Sequence, residues 1–343
     1  MRAVLLEQHG PTDALKVVSD FPVPEPGTGE VRIRVRAAAL NRLDIWVRNG
    51  WPGIKLPLPH IPGADAAGDI DKLGEGVVGW NVGDRVVIDP GISCGHCEFC
   101  RSGHENLCPE FKIMGEDIRG TNAEYIVISV RNLLKLPDHI SYAEAAAASL
   151  VYLTAWHSLI TRGALRAGES VLIVGAGGGV NTASIQIAKL AGAKVYVVGS
   201  DAAKLAHAKS LGADELIDRS AEDWSKAIFA RTNRQGVDVV VDNVGKETLF
   251  GSIRSVKRGG RILIVGNTSG PIAEVDLRYI FRKNISIIGS TMAPHADFVT
   301  VMELVFEGKL KPVIGATFPL EQVVQAHLAL EKGDIVGKVV LEI

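Results

Sequence analysis

The sequence predicts an α/β protein of two domains, an all-β, barrel-like region joined to a doubly wound parallel sheet. Three observations carry this. Over residues 1–137, short β-like runs such as VRIRVRAAAL and DRVVIDP are broken by Gly and Pro, including the stiff segment PVPEPGTGE. From about residue 169 onward, strand and helix patterns alternate, which implies parallel strands joined by crossover helices. The chain of 343 residues is also too long for one ordinary core.

After the β-rich region, SYAEAAAASLVYLTAWHSLI reads as a helix bridging the two domains. Ser141 caps it, Glu144 follows three residues later as in a capping box, and the alanines favour helix. Then come the strand ESVLIVG, a helix through 185–190, the strand AKVYVVG, a helix through 204–211, and the strands DELID, VDVVVDNVG and GGRILIVG. The tail holds a helix over DFVTVMELVFEGKL, another near 323–331 and a last strand, GKVVLEI, and is expected to return to the first domain. The boundaries fall at 1–151, 152–291 and 292–343. No repeat or low-complexity linker separates the domains, so a cleft between closely packed domains is expected.

Composition narrows the function. Hydrophobic residues make up 47% and charged residues 22%, and Lys+Arg 37 against Asp+Glu 39 leaves a net charge of -2. This balance argues against a nucleic-acid surface, an acidic tail or disorder. The N-terminus MRAVLLEQHG carries no leader pattern, and no apolar run reaches the roughly twenty residues of a membrane span, so a cytoplasmic protein without a membrane partner is expected. The nine histidines include no His-Glu-x-x-His helix, which argues against a metalloprotease.

All four cysteines, Cys94, Cys97, Cys100 and Cys108, fall in one fifteen-residue stretch spaced C-x2-C-x2-C-x7-C. Four thiolates on a short loop, with Gly91, Gly95 and Gly103 free to take tight backbone angles, close a tetrahedral zinc site with no open position. Such a site is structural, and one zinc per chain is expected in a lobe at about 91–109. The alternative is a pair of disulfides, which a reducing compartment disfavours. No cysteine remains elsewhere to ligate a catalytic metal.

The strand VLIVG runs into GAGGGVN and then the apolar helix TASIQIAKLAGA, the order that dinucleotide binding requires. Gly177, Gly178 and Gly179 let the backbone approach a phosphate at the helix N-terminus, where unpaired amides, Val180 included, and the helix dipole favour an anion. Asn181 stands where the last fingerprint glycine would fall, an exchange that sets the helix slightly further from its strand. The second strand ends in Gly199 and Ser200, with no acidic residue at the strand end itself to accept from a ribose hydroxyl. Ser200 can donate to a phosphate, Lys204 lies four residues on, and Arg219 follows the third strand, so NADP(H) is preferred over NAD(H). The other reading leaves Lys204 and Arg219 as solvated charges and gives the ribose to Asp201. Asn243 and Val244 after VDVVVD, and Gly266 and Asn267 after RILIV, stand at strand carboxyl ends, where a doubly wound sheet places its ligand.

PGADAAGDIDKLG, the four-cysteine lobe, LIVGAGGGV, DNVG and the closing GKVVL follow the order of the medium-chain dehydrogenase/reductase superfamily, which the chain resembles over essentially its whole length. The resemblance implies a GroES-like β-barrel catalytic domain split around a Rossmann domain, and hydride transfer from a nicotinamide cofactor to a small-molecule substrate. It also implies a homodimer or homotetramer. Thr154, in YLTAW, resembles the residue beside the nicotinamide; the plainer reading is a hydroxyl bonded to its own helix backbone. The cysteine lobe resembles the structural-zinc lobe of zinc-dependent alcohol dehydrogenases. In that branch a reactive zinc takes a Cys, the His of a Gly-His-Glu motif and a later Cys or Asp. Here those positions align with Asn41, Ala64 and Leu150, none of them an ordinary zinc ligand. Instead, Asn41, Asp44, Arg48 and Gly50 spell N-x-x-D-x-x-x-R-x-G, which resembles zinc-independent quinone oxidoreductases and related enoyl reductases.

Without a Lewis acid, hydride delivery works best on quinones, enones and enoyl thioesters, whose conjugation carries developing charge to an oxygen that hydrogen bonds can stabilise. Asn41, Asp44 and Arg48 are the candidate catalytic residues. Asn41 either donates its amide to that oxygen or to the nicotinamide ribose, or simply stabilises a turn. Asp44 is expected to pair with Arg48 at i, i+4 spacing rather than act as an acid, with Arg48 still open to the cleft. The proton can come from water, so no general acid is named. His60, Asp65 and His157 with Asp44 make an irregular metal site, against the plainer reading of hydrogen-bonded histidines. Trp46 and Trp51 either wall the substrate or pack in the barrel. The leading expectation is an NADPH-dependent reductase of activated double bonds or quinones. An alcohol or aldehyde dehydrogenase with a displaced or absent catalytic zinc is the alternative. A non-enzymatic NADPH-binding protein is disfavoured by the near-zero net charge.

Overall fold

Alternation in VRIRV puts Val31, Ile33 and Val35 on one face, and all three are buried in the long strand Glu30–Leu40. Beyond them, Ala37, Ala38, Ala39 and Leu40 are buried on both faces, so the strand passes from the edge of a core into its centre. In the computed structural model, which describes residues 1–51 and 53–343, this strand is the spine of the first of two compact units. That unit comprises Met1–Leu150 and Ala293–Ile343; the second is Val151–Met292.

In the first unit, a seven-stranded sheet runs Ile314–Pro319, Lys338–Glu342, Glu30–Leu40, Asp65–Leu73, Arg85–Ile88 and Leu133–Lys135, with the seventh strand, Tyr125–Ser129, pairing the spine off this path. The spine pairs antiparallel with the C-terminal strand (Leu40 opposite Val339) and with Asp65–Leu73 (Ala39 opposite Asp65). Two apolar clusters follow. One holds Val31, Ile33, Ile70, Val86, Ile88 and Met114, and the other Leu40, Val47, Leu320, Val323, Val339 and Leu341. Burying each such side chain contributes about 1.5–3 kcal/mol, so the tail 293–343 is held into this unit by its own core.

The second unit is a six-stranded, all-parallel sheet, in the order Glu215–Asp218, Lys194–Gly199, Ser170–Val174, Val237–Asp242, Val256–Ile264 and Ser286–Gly289. The inner strands are continuous apolar runs because helices cover both faces. The chain order reverses at Ser170–Val174, which places the ligand-binding switch point at the carboxyl end of that strand. The outermost strand, Ser286–Gly289, was not read from the sequence. Only four residues long and mostly exposed, it lacks the apolar run that marks its neighbours. The capping box at Ser141 and Glu144 forms, with Ser141 N donating to Glu144 Oε2 at 3.0 Å and Glu144 N to Ser141 Oγ at 3.2 Å. Its helix, Tyr142–Trp156, then widens into a π-turn over His157–Arg162 that no sequence signal announced. Among the described residues, no helix is long and apolar enough to cross a membrane.

Candidate active site and metal centre

The glycine-rich cysteine loop folds into the strand Gly91–Ile92 and the single-turn helix Glu98–Arg101, capped by Cys97. The four Sγ atoms lie within 4.8 Å of one another, with Cys94 to Cys100 at 3.8 Å and Cys97 to Cys100 at 3.4 Å. A tetrahedral zinc at about 2.3 Å from each sulfur asks for sulfurs about 3.8 Å apart, so the donor set fits the ion. Backbone amides turn toward the sulfurs: Cys97 N to Cys94 Sγ at 3.4 Å and Glu110 N to Cys108 Sγ at 3.4 Å. The His96 amide, helped by that of Cys97, favours the Cys94 thiolate, while at Cys97 the Cys100 amide is outweighed by desolvation and the neighbouring sulfurs, which push the thiol up. None of the four is in a disulfide.

A different arrangement stands where a reactive zinc would sit. The positions aligned with the three zinc ligands, Asn41, Ala64 and Leu150, converge on one carboxylate, the wholly buried Asp65. Asp65 Oδ1 accepts from Leu150 N at 2.8 Å, and Oδ2 accepts from Asn41 Nδ2 at 2.9 Å and from Lys338 Nζ at 2.8 Å. Lys338, its side chain 4% exposed, also donates to Asn41 Oδ1. The oxygens that might bind a metal are therefore spent on a buried ammonium, whose own charge repels a dication. These residues do not fit a catalytic zinc.

Asp44, at the start of the helix Arg42–Asn49, accepts from Asn41 N at 2.7 Å. Burial pushes its carboxyl up to about 6; the Asn41 amide, the charge of Lys338 and the Gly63 amide pull it back only in part. Two buried carboxylates, Asp44 and Asp65, thus share one cation, Lys338, and the cluster is neutral when Asp44 holds a proton.

The expected Asp44–Arg48 pair is not formed, and Arg48 is not a solvent-facing group. Its guanidinium is 2% exposed and ion-paired with Glu331, with further bonds from Nη2 to Asn49 Oδ1 at 3.0 Å and from Nε to Gly10 O at 3.2 Å, and Nη1 3.3 Å from His327 Nδ1. The i, i+4 rule sees only the local helix, whereas the partner comes from the helix Val323–Lys332. Asn41 is likewise turned inward, its amide hydrogens directed at Asp65 and, at 3.5 Å, at Ala39 O. The irregular metal site does not assemble. His60 Nε2 donates to Gly115 O at 3.0 Å, burial lowers its pKa, and among the described residues only the four cysteines and the set Cys94, His96 and Glu110 lie within reach of one ion. Trp46 is half-buried and Trp51 exposed.

In the second unit, Gly178 caps the helix Gly179–Leu190, leaving the amides of Gly179, Val180 and Asn181 in its first turn. Gly175 takes φ 111°, and a Cβ there would meet Asn181 Nδ2 at 2.3 Å. Asn181 therefore tucks under the turn, and its Oδ1 accepts from Asn243 Nδ2 at 2.7 Å. The residue read as a missing glycine is a brace between two strand ends. Lys204 lies over the turn, since a Cβ on Gly177 would meet its Cδ at 2.9 Å. Asp201 caps its helix by accepting from Lys204 N at 2.8 Å. Arg219 N donates to Gly199 O at 2.8 Å, which brings exposed Arg219 beside Ser200. Gly266 approaches Asn243 O so closely that a Cβ would sit 3.0 Å away, while Asn267 is exposed at the same rim. Thr154 is buried on the helix Tyr142–Trp156. Sequence reasoning missed Asp242. This buried carboxylate accepts from Val244 N and Gly245 N, both at 3.0 Å, and from Thr248 and Ser252 hydroxyls, fixing the DNVG turn.

A split β-barrel unit with a four-thiolate lobe, and a parallel unit ending in a glycine turn at its switch point, define a nicotinamide-dependent oxidoreductase. Residues 27–138 match the family described as Alcohol dehydrogenase GroES-like domain and residues 179–307 that described as Zinc-binding dehydrogenase. The chain is 33% identical to a quinone oxidoreductase of Rattus norvegicus, covering 95% of this chain and 93% of that one. It is also 33% identical to an acryloyl-coenzyme A reductase of Metallosphaera sedula, covering 99% of each. A solved NAD-dependent alcohol dehydrogenase superposes with a TM-score of 0.96 at 46% identity over 100% of both chains. The chain belongs to the medium-chain dehydrogenase/reductase superfamily.

Proposed function

We propose that this protein is an NADPH-dependent reductase of activated double bonds or quinones, working without a catalytic zinc and stabilised by one structural zinc at Cys94, Cys97, Cys100 and Cys108. The observation that carries the reading is the Asp65–Lys338–Asn41 cluster at the positions aligned with the zinc ligands. An ammonium already neutralised by a carboxylate cannot polarise an alkoxide as a dication does, so the substrate must bring its own electron sink. Asn41 and Asp44 hold this cluster and the backbone around it; Arg48 anchors two helices. The likeness to quinone oxidoreductase and acryloyl-coenzyme A reductase supports the substrate class.

For the cofactor, which supplies the hydride when bound, the reading assigns the phosphates to Gly177, Gly178, Gly179 and Val180. It assigns the 2′-phosphate to Ser200, Lys204 and Arg219, with Thr154, Asn243, Val244, Gly266 and Asn267 along the cofactor. Asp201, engaged as a helix cap, supports the preference for NADP(H). A homodimer through the strand Ser286–Gly289 is favoured by its unpaired edge and by exposed Ile287, Phe281 and Leu277. The thiolate lobe suits a reducing compartment such as the cytoplasm.

A second reading, an alcohol or aldehyde dehydrogenase, is favoured by the likeness to the solved NAD-dependent alcohol dehydrogenase. Zinc stoichiometry, measured with NADPH oxidation on a quinone, an enone and an aldehyde, separates the two. One zinc with turnover of the conjugated substrates supports the proposal; two zincs with aldehyde turnover sink it.

A further inference from the structure

The reduction of an activated double bond needs a proton as well as a hydride, and the bonds of the Asn41–Asp65–Lys338 cluster run inward: Lys338 Nζ donates to Asn41 Oδ1 and Asp65 Oδ2, and Asn41 Nδ2 to Asp65 Oδ2 and Ala39 O. A further buried carboxylate, besides Asp65 and Asp44, lies in the same unit. Consecutive residues of one helix, Ser149 and Leu150, bond to Ile88 O at 2.7 Å and to Asp65 Oδ1 at 2.8 Å. The strands carrying Asp65 and Ile88 pair directly and antiparallel, with Ala67 opposite Val87, so Asp89, just past the carboxyl end of its strand, lies at the same edge of the pair as Asp65 at the amino end of the other. The Asp89 side chain is 4% exposed; Oδ1 accepts from Gly91 N at 3.0 Å, and Oδ2 is 2.8 Å from His295 Nδ1. His295, at the first turn of the helix His295–Phe306, is 37% exposed, and the Phe298 ring lies 5.9 Å from its own. With Nδ1 committed to Asp89, Nε2 points away from the carboxylate and has no partner among the described residues.

We propose that His295 is the proton donor of this enzyme and that Asp89 is the residue that positions it. The inference rests on the reductase reading above. After hydride from the reduced nicotinamide bonds to the substrate carbon distal to the carbonyl, the carbon–carbon π pair moves onto the enolate. The Nε2–H bond of the imidazolium then breaks as a carbon–hydrogen bond forms next to the carbonyl, and the neutral imidazole regains its proton from water. The groups facing His295 favour its charged form: the bond to Asp89 holds its pKa above the ordinary range and the charge of Glu105 adds to this, against burial, while Asp297 shares its helix. The carboxylate–imidazole pair fixes the tautomer, so the free nitrogen is the one that gives the proton.

A quinone supplies the control, because its reduced oxyanion takes a proton from water without help. His295→Gln is expected to lower kcat for an enone at least ~100-fold, the lower end of what a general acid contributes, and to abolish the fall in kcat as pH rises through the imidazole titration. Quinone turnover should change only a few-fold. Asp89→Asn should keep the fold and shift that limb to lower pH, and NMR titration of His295 in the protein without substrate should show the same downward shift. Enone turnover by His295→Gln within a few-fold of the parent, or an unmoved limb in Asp89→Asn, overturns the assignment while leaving the reductase reading intact. If the parent protein turns over no conjugated substrate, the reductase reading itself fails and takes this inference with it.

Discussion

Replacing Lys338 with Met tests the buried ion pair most directly. The substitution keeps most of the side-chain volume but leaves Asp65 wholly buried, with only Leu150 N and Asn41 Nδ2 donating to it. Removing one partner of a buried pair costs about 3–5 kcal/mol, because the other charge stays desolvated. At roughly 2–4 °C per kcal/mol for a unit of this size, the melting temperature should fall by roughly 6–20 °C. Asp65→Asn alone should also destabilise, leaving the ammonium unpaired. The double variant, with neither charge, should lie well above the sum of the two losses, with a coupling of at least about 2 kcal/mol in urea unfolding at pH 7. Additive losses, or a Lys338→Met protein melting within about 1 °C of the parent, would refute the view that this pair is a desolvated charge cluster.

Cys97→Ser should lose the lobe zinc, by atomic absorption, and melt lower, with hydride transfer impaired only indirectly; retained zinc and an unchanged melting temperature would discard the lobe as a metal site. Joint replacement of Lys204 and Arg219 by Ala should raise KM for NADPH about 10-fold or more and leave that for NADH within a few-fold, in keeping with two charge-assisted contacts to a phosphate; equal effects on both cofactors would return these residues to the solvated surface. Burial pushes the Asp44 carboxyl up from the ordinary 3.8 to about 6, so the folded state binds the extra proton between these values and stability falls as pH rises through that window. Two pH units at 1.36 kcal/mol each set the loss at about 3 kcal/mol; relative to the parent, Asp44→Asn should therefore gain up to that amount between pH 4 and 7, and a pH-independent difference would contradict it. Ile287→Lys at the open sheet edge should shift the protein toward monomer in sedimentation, and an unchanged oligomer would move the interface elsewhere.

What the sequence disclosed follows from how far its physical rules reach. The glycine turn after VLIVG, the cysteine spacing and the strand–helix alternation are local, and each lies within a few turns of chain. Arg48 was misread because its partner Glu331 is 283 residues away, while Asp44 lay conveniently at i–4. Lys338 drew no attention for a similar reason: as one residue of a closing strand it is ordinary, and only the antiparallel pairing of Lys338–Glu342 with Glu30–Leu40 brings its ammonium to Asp65, 273 residues off. Asp65 was noticed only as a possible metal ligand. Its acidity was legible, but the charge that satisfies it was not. Asn181 was seen as the loss of a glycine, and its gain, a bond to Asn243, required both strand ends in place.

The two metal positions of the zinc-dependent branch differ in the same respect, which explains how one can be kept while the other is replaced. The cysteine loop draws every donor from residues 94–108, so its geometry depends on little beyond its own glycines and amides. The other position draws on three separate elements, at Asn41, Ala64 and Leu150, which come together only when the barrel closes. Such a convergence needs something at its centre to hold it, and it cannot be left as an apolar void because Asp65 and Asn41 already face inward. A lysine reaching in from the closing strand donates to Asn41 Oδ1 and Asp65 Oδ2 and supplies a positive charge. On this reading the ammonium preserves the architecture of a metal site while giving up its Lewis acidity. The chemistry then passes to substrates that carry their own electron sink and to a proton donor, His295, held by Asp89 at the end of the neighbouring strand.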